Sequence, residues 1–401
     1  AKAMRARAAH GQPIDQLMAK FSTAVGKCSC VRCVAFDSHA IAMQAQLSRQ
    51  APLEGLTIVD LSMGWAGPLA TRNLADLGAT VIKVESCTRF DWFRSWEASQ
   101  EWIDNNGAEK EVRFISLNRN KLDVTLDFES SVGRDLLLRL VANAAAVIEN
   151  YSGGVLPKLK LDYPVLSEVN PELVMVSMPA FGGTGPWAKF RAYGSTVEQS
   201  AGLPHLQGSN DQPPTMLHVA FGDAIAGLYG SAALLTALFH KKKTGQGQFV
   251  DLSQVECLLP HAVHGVVHQS INNQPPLRQG SFHADYYIHA VFACEGEEQW
   301  ILIQVETEQQ WHSAVEQMPI LEQFDHLSPD ERRADFANIQ QAVTDWIATQ
   351  QATELMHQLQ SAGVTAIALN SASDLMDDPH LVARGFMHFI TRDFMGEQPH
   401  P

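Results

Sequence analysis

From Leu56 onward, short apolar runs alternate with segments of helical period, and this alternation is the feature that most constrains the fold. Residues 56–62 (LTIVDLS) predict a buried strand, residues 69–77 a helix that ends at Gly78, and residues 79–85 (ATVIKVE) a second strand. A strand, a helix and a strand in this order are typical of a βαβ unit, which belongs to a parallel sheet.

The alternation continues along the chain, with a long apolar helix predicted over residues 224–239. The predicted fold class is α/β, with a Rossmann-like, doubly wound large domain over residues 51–278 and a smaller α+β domain over residues 279–380. A helical N-terminal extension is predicted over residues 1–50. The further strands are predicted at residues 124–128, 146–151, 173–178, 249–252, 286–294 and 300–305, and the further helices at residues 132–144 and 163–169.

The charge of the chain argues against some classes of partner. Its 44 acidic and 29 basic residues give a formal net charge of −15, and charged residues make up only 18% of the chain. This composition cannot build a broad basic face, so nucleic acid is not an expected partner. The uncharged run at residues 224–239 is shorter than the ~20 residues that a bilayer requires, so a membrane is not an expected partner either.

The six cysteines show no disulfide pattern, which favours a reducing, cytoplasmic location. Cys28, Cys30 and Cys33 lie close together in the sequence. They lack a fourth cysteine or histidine at ligand spacing, and His39 is the nearest candidate. We therefore expect no metal site.

The loop after the first predicted strand is Gly64-Trp-Ala-Gly67-Pro68, and its sequence can be compared with the motifs of known nucleotide-binding proteins. Glu85 ends the second strand, where dinucleotide-binding folds place a ribose-binding acid, but the loop lacks G-x-G-x-x-G and carries the bulky Trp65. An NAD-linked dehydrogenase is therefore a weak alternative. The chain also contains no G-x-x-x-x-G-K-[ST] and no G-x-S-x-G, which argues against Walker-type phosphate binding and against an ordinary α/β-hydrolase.

Four motifs together resemble one known family. They are LEGLTIVDLS at residues 53–62, AGP at residues 66–68, LADLGATVIKVE at residues 74–85 and TGQGQFVD at residues 244–251. In their order and spacing they resemble the class III CoA-transferase family, which includes carnitine and formyl CoA-transferases and the 2-methylacyl-CoA racemases. The resemblance implies a Rossmann-like large domain, a smaller domain toward the C-terminus and an interlocked homodimer.

In that family the transferase nucleophile is an aspartate in a Gly-Asp step that opens a helix, which corresponds here to Gly222-Asp223. On local grounds alone, an aspartate ahead of an apolar helix is most often an N-cap. The two roles are compatible, because a helix N-terminus also holds a carboxylate ionised. The resemblance implies that Asp223 attacks an acyl-CoA and forms an aspartyl-CoA thioester, which passes CoA to an acceptor acid. Gly222 and Gly227 would permit close approach of the N–H groups that stabilise the oxyanions.

The resemblance also implies the substrates and the CoA contacts. The substrates are an acyl-CoA donor and a small carboxylic acid acceptor, and no cofactor is permanently bound. Cationic side chains are predicted to neutralise the phosphates of CoA, as a local exception to the acidic whole. The residues predicted to contact CoA are Trp65, Ala66, Lys83, Glu85, Arg94, Asn118, Arg119, Lys121, Asn150, Tyr151 and Lys158.

The chain departs from the family pattern in two places. Formyl-CoA enzymes have a glutamine where Trp65 stands, so we expect oxalate-like diacids to be disfavoured. Residues 381–401 are predicted to begin a return segment to the large domain that is cut short, which indicates a fragment of a longer fused protein.

Two alternatives remain open at this point. In a 2-methylacyl-CoA racemase or epimerase, the same aspartate works as an acid and base with a histidine. No such histidine lies in residues 178–195, which favours transfer. The other alternative is an inactive CoA-binding module of a longer protein.

Overall fold

The computed structural model describes residues 33–35, 51–86, 90–94, 97, 99–217 and 220–400. Two compact units divide these residues. The large unit takes its described residues from 1–203, 216–271 and 389–400, and the small unit from 204–215 and 272–388.

The elements are numbered here along the chain. The strands are β1 (Cys33–Ala35), β2 (Thr57–Asp60), β3 (Thr80–Glu85), β4 (Lys121–Thr125), β5 (Ala146–Glu149), β6 (Val174–Ser177), β7 (Gln248–Asp251), β8 (Ile288–Ala293), β9 (Trp300–Val305), β10 (Thr365–Ala368), β11 (His388–Arg392) and β12 (Gly396–His400). The α-helices are α1 (Ala66–Asp76), α2 (Gln100–Asp104), α3 (Gly107–Lys110), α4 (Val112–Asn118), α5 (Ser131–Val141), α6 (Val155–Leu159), α7 (Tyr163–Val169), α8 (Gly194–Ser200), α9 (Phe221–Thr244), α10 (Gln254–Leu258), α11 (Val263–Asn272), α12 (Glu308–Gln317), α13 (Pro329–Ala334), α14 (Phe336–Ile347), α15 (Ala352–Ser361), α16 (Asp374–Asp377) and α17 (Pro379–Ala383).

A seven-stranded sheet organises the large unit, in the order β1-β4-β3-β2-β5-β6-β7. The strands from β4 to β7 are parallel, and β1 joins the edge antiparallel to β4. This confirms the predicted α/β class. The strand order reverses between β2 and β5, and ligands of such sheets bind at the carboxyl ends of the strands that flank this point.

Alternate side chains of the central strands pack against helices on opposite faces of the sheet. Ile58 belongs to a core cluster with α1 and α9, whereas the next residue, Val59, belongs to a cluster with α5. Because both faces are covered, the central strands are buried at almost every position, and their middle residues are mostly apolar. This is why the apolar runs in the sequence predicted them.

Helix α9 has 24 residues and is longer than predicted, because it begins at Phe221 and continues through the three lysines to Thr244. It ends at Gly245, whose φ of 74° is the left-handed conformation that closes many helices. By length and composition alone α9 could cross a membrane, but core helices of soluble proteins pass the same test. The helix is longer than the uncharged run, so its length does not decide whether a membrane is a partner. Gly227 packs closely on Leu69 of α1, which is the kind of contact that a core helix makes.

The small unit is built on the antiparallel sheet β10-β9-β8. Strands β8 and β9 lie where the β-rich segment was predicted, and their buried face packs against α12, α14 and α15 around the fully buried Trp311.

Two further predictions differ from the structure or lie largely outside it. The strand predicted at residues 124–128 is β4 and starts earlier, at Lys121, because charged residues inside it are buried through pairing. The helical extension predicted over residues 1–50 lies outside the described residues apart from Cys33–Ala35, which form a strand. Cys28 and Cys30 also lie outside them. Among the residues that the structure describes, no group of three metal-ligating side chains is found.

Candidate active site

The carboxylate of Asp223 lies where three helices begin. Asp223 is the third residue of α9, and the backbone N–H groups of Ala66 and Gly194 lie near its side chain and lower its pKa. Ala66 and Gly194 are the first residues of α1 and α8. The first N–H groups of a helix have no partner inside that helix, so they are free to bind an acceptor from elsewhere.

Asp223 is not the N-cap of α9, so the capping alternative is wrong. The cap position is Ala220, and α9 has no side-chain capping bond. The aspartate instead lies in the first turn, and the backbone N–H groups that lower its pKa belong to two other helices. Those contacts bring three distant parts of the chain together around one carboxylate.

Two glycines make this approach possible. A Cβ on Gly194 would lie 2.3 Å from Asp223 Oδ2, and a Cβ on Gly222 would lie 2.6 Å from the carbonyl oxygen of Gly194. Gly222 therefore has a packing role next to the carboxylate. Gly227 lies farther along α9, where a Cβ would lie 2.9 Å from the carbonyl oxygen of Ala66, so it permits the close approach of the first turn of α1. Our sequence reasoning missed Gly194, for which the signal was a single glycine at the start of a short polar segment.

Burial raises the pKa of Asp223 to about 6, and the two backbone hydrogen bonds oppose this effect. This rise in the pKa of Asp223 is opposite to the decrease that the helix N-terminus alone would cause. A pKa of about 6 leaves roughly ten ionised carboxylates for each protonated one at pH 7. Asp223 is therefore a partly buried but mostly ionised group near neutral pH.

Side chains from neighbouring strands hold the loop that precedes Ala66. The Asn150 carboxamide donates to the Met63 carbonyl oxygen and accepts from the Met63 N–H, both at 2.8 Å. Asp91 accepts from the Gly64 N–H at 3.1 Å. Because Asn150 follows β5 and the loop follows β2, this clamp lies at the point where the strand order reverses. It positions the N–H group of Ala66.

The model of CoA-transferase family III matches residues 53–399 of the chain. The chain belongs to CoA-transferase family III. This confirms the resemblance that the four motifs predicted.

Individual relatives place the chain within this family. A probable CoA-transferase of Mycobacterium tuberculosis is 32% identical over 343 residues, which cover 83% of this chain and 42% of that protein. The succinate–glutarate CoA-transferase of Agrobacterium fabrum is 28% identical over 344 residues, which cover 84% of this chain and 85% of that protein. This chain thus spans less than half the length of the mycobacterial relative.

The fold also matches solved structures of the family. A CaiB/BaiF family protein from Brucella suis is 29% identical with a TM-score of 0.77, and the match covers 88% of this chain and 96% of that one.

Several residues predicted to contact CoA instead form a buried ion-pair network. Lys121 Nζ donates to Asp60 Oδ2 at 3.0 Å, to the Pro68 carbonyl oxygen at 2.8 Å and to Asn118 Oδ1 at 2.8 Å. Lys121 is only 1% exposed. All three donors of its ammonium group are used inside the protein, so we correct its predicted role, and that of Asn118, from phosphate binding to interior pairing.

A second part of the network surrounds Arg94. Its guanidinium contacts Glu85 at 3.1 Å and Asp123 at 3.3 Å, and it stacks 4.0 Å from the ring of Phe114. Burial and the neighbouring Glu85 raise the pKa of Asp123. Lys83 is paired with Asp91 at 3.0 Å and is also buried. Burial requires such charges to be paired, so Lys83, Glu85 and Arg94 have a structural role here in place of the predicted CoA contacts.

The remaining predicted residues lie in different settings. Ala66 lies near Asp223, as described above, and Trp65 is the N-cap of the helix that begins at Ala66. Arg119 forms a forked ion pair with Asp76, Nη2 lying 2.9 Å from Asp76 Oδ2. Tyr151 packs partly buried against a core cluster, and Lys158 is exposed at the end of α6. For these residues, contact with CoA stays a prediction.

Proposed function

We propose that this chain is a CoA-transferase, which moves CoA from an acyl-CoA to a carboxylic acid through an aspartyl-CoA thioester on Asp223. The observation that supports it best is a partly buried, mostly ionised carboxylate near the first N–H groups of two other helices, in a chain of CoA-transferase family III. The activity of the named relatives is consistent with this reaction.

The proposed reaction needs only the carboxylate and the substrates. An Asp223 oxygen attacks the thioester carbonyl carbon, the C–S bond breaks, and CoA thiolate leaves behind a mixed anhydride. The thiolate then attacks the Asp223 carbonyl carbon and displaces the donor acid as its carboxylate. This gives the aspartyl-CoA thioester. The acceptor carboxylate repeats both steps in reverse, which forms the new acyl-CoA, restores the Asp223 carboxylate and transfers no net proton.

The hydrogen bonds at Asp223 suit the steps in which its own carbonyl carbon is attacked. In those steps a negative charge develops on an Asp223 oxygen, and donors that are already aimed at that position stabilise the charge without reorganisation. The N–H groups of Ala66 and Gly194 already lie near this carboxylate and lower its pKa. We therefore propose them as the oxyanion donors.

A transfer assay with matched variants tests the function. Purified protein is incubated with succinyl-CoA and an acceptor panel that includes glutarate and 3-phenylpropionate, and the new CoA esters are quantified. We expect Asp223→Asn to lower the transfer rate by at least about 10³-fold, because it removes the nucleophile. Asp135→Asn is the control, since Asp135 lies exposed on α5 and should leave the rate within about twofold. Equal rates for wild type and Asp223→Asn would contradict the proposal.

The racemase alternative predicts a different product. A racemase exchanges the α-proton of a 2-methylacyl-CoA with solvent when no acceptor acid is present. Deuterium incorporation under those conditions would favour it over transfer. The homodimer and the cytoplasmic location stay predictions.

A further inference from the structure

Four aromatic side chains of the large unit form a continuous run of contacts, called here the aromatic cluster: Trp65, Trp92, Phe93 and Tyr193. The rings of Trp65 and Phe93 meet edge to face at 6.1 Å, those of Phe93 and Trp92 lie at 4.2 Å, and those of Trp92 and Tyr193 meet edge to face at 6.1 Å. Such distances are typical of interacting aromatic pairs.

The two ends of the aromatic cluster adjoin the two hydrogen-bond donors of Asp223. Trp65 is the residue before Ala66, and Tyr193 is the residue before Gly194. Consecutive Cα atoms are about 3.8 Å apart, so both ends of the cluster are covalently tied to the site. Ala224, the residue after Asp223, packs against the same apolar cluster as Trp65 and Trp92.

Part of the aromatic cluster is buried against the protein, and part of it is exposed to solvent. Phe93 is only 4% exposed, and the indole of Trp92 lies so close to Gly64 that a Cβ there would be 2.3 Å from the indole nitrogen. Tyr193, in contrast, is 72% exposed. A large ring held open at an otherwise buried site is surface that a ligand can cover.

The charged groups beside the aromatic cluster favour an apolar ligand over a second carboxylate. A dicarboxylic acid needs a cation or several donors for its distal carboxylate once water is excluded. Arg113 packs 5.4 Å from the Phe93 ring and is paired with Glu111. Lys83 and Arg94 pack on the neighbouring ring of Phe114 and are paired with Asp91 and Glu85. Among the residues that the structure describes, the buried part of the cluster therefore offers no cation that is free of a protein carboxylate.

We propose, on the basis of the function proposed above, that the acid which this chain converts to its CoA ester carries an aromatic or similarly bulky apolar group. That group packs on the aromatic cluster while the carboxyl carbon lies at Asp223. The cluster thus sets the substrate class, and Tyr193 is its exposed specificity residue.

Competition between two acceptor acids tests this substrate class. With succinyl-CoA as donor, kcat/KM is measured for 3-phenylpropionate and for glutarate, in wild type and in Tyr193→Ser. We expect wild type to prefer 3-phenylpropionate, and Tyr193→Ser to lower kcat/KM for that acid about tenfold while changing the value for glutarate less than twofold. Tyr193→Phe keeps the ring and should behave as wild type. Phe239→Ser is the matched control, because Phe239 is 62% exposed and lies about 24 Å along α9 from Asp223.

A binding measurement separates this proposal from the function on which it rests. Ligand-observed NMR saturation transfer reports whether the ring protons of 3-phenylpropionate touch the protein, with or without turnover. A preference for glutarate, or an equal effect of Tyr193→Ser on both acids, would overturn the aromatic subsite and leave the transferase function standing. Ring saturation in wild type that is lost in Tyr193→Ser, without transfer to any acid, would uphold the subsite and overturn the transferase. If neither CoA transfer nor ring saturation is observed, both the aromatic subsite and the transferase function are overturned.

Discussion

Replacing Gly194 by alanine perturbs the site at a single atom. The new Cβ would lie 2.3 Å from Asp223 Oδ2 and 3.0 Å from the Cα of Ala220. Gly194 has no positive φ, so alanine itself fits the backbone there. The clash therefore falls on the carboxylate, which must retreat by roughly 0.7–1 Å from the Gly194 N–H.

The expected cost of that retreat can be worked out from the lost contact. Removing one donor from an oxyanion site lowers kcat by about 10²–10³-fold, and a misplacement of about 1 Å alone can cost about 10²-fold. We therefore expect Gly194→Ala to lower kcat for CoA transfer by about 10²–10³-fold. The pKa of Asp223 should also rise further, because the Gly194 hydrogen bond acts to lower it.

The assay is steady-state CoA transfer, measured together with thermal unfolding of each variant. Ser195→Ala is the control, since it changes the next residue of α8 without adding an atom near Asp223. The reasoning is refuted if Gly194→Ala keeps kcat within about threefold of wild type while folding normally.

Three further outcomes follow from the buried charges. Burial raises the pKa of Asp223 from 3.8 to about 6, so a plot of log(kcat/KM) against pH should fall with unit slope below about pH 6. A plot that is flat down to pH 4.5 would contradict this. A raised carboxyl pKa means that ionisation disfavours the folded state, so the free energy of unfolding should fall between about pH 4 and pH 6 and then stay lower by about 3 kcal/mol. Asp223→Asn should remove this pH-dependent loss of stability. By urea unfolding, the variant should be more stable than wild type at pH 7.5 and equally stable at pH 4. Lys121→Met leaves the buried Asp60 without its ion-pair partner, so it should lower the free energy of unfolding by about 3–5 kcal/mol. The control Lys158→Met removes an exposed lysine and should change the free energy of unfolding by less than about 0.5 kcal/mol. Urea unfolding measures both variants.

Much of the large sheet could be predicted from the sequence because its strands are covered on both faces. Strands β2, β3, β5 and β6 are buried at nearly every position and mostly apolar in the middle, and each was predicted to within two residues of its observed bounds. Strand β4 was misplaced because Lys121 and Asp123 have the composition of a surface segment. Only their partners in the folded protein make their burial possible.

The candidate site could be predicted only in part. Asp223 has a local sequence signal, the Gly-Asp step, which gained its meaning from the family motifs. The donors that hold it are backbone N–H groups of Ala66 and Gly194, which leave no side-chain signature and come from helices distant in sequence. The direction in which the pKa of Asp223 changes also depends on burial, which the local sequence does not reveal. Basic residues such as Arg94 were predicted to bind phosphate because their carboxylate partners cannot be identified before folding.

The most direct test of the central claim is to trap the aspartyl intermediate. Wild-type protein is incubated with an acyl-CoA alone, treated with hydroxylamine, digested and analysed by mass spectrometry. Hydroxylamine attacks an activated aspartyl carbonyl and leaves a hydroxamate at that residue. We predict the modification on the peptide that contains Asp223, dependent on acyl-CoA and absent in Gly194→Ala at the same exposure time. Turnover with an unmodified Asp223, or modification of a different carboxylate, would contradict the mechanism.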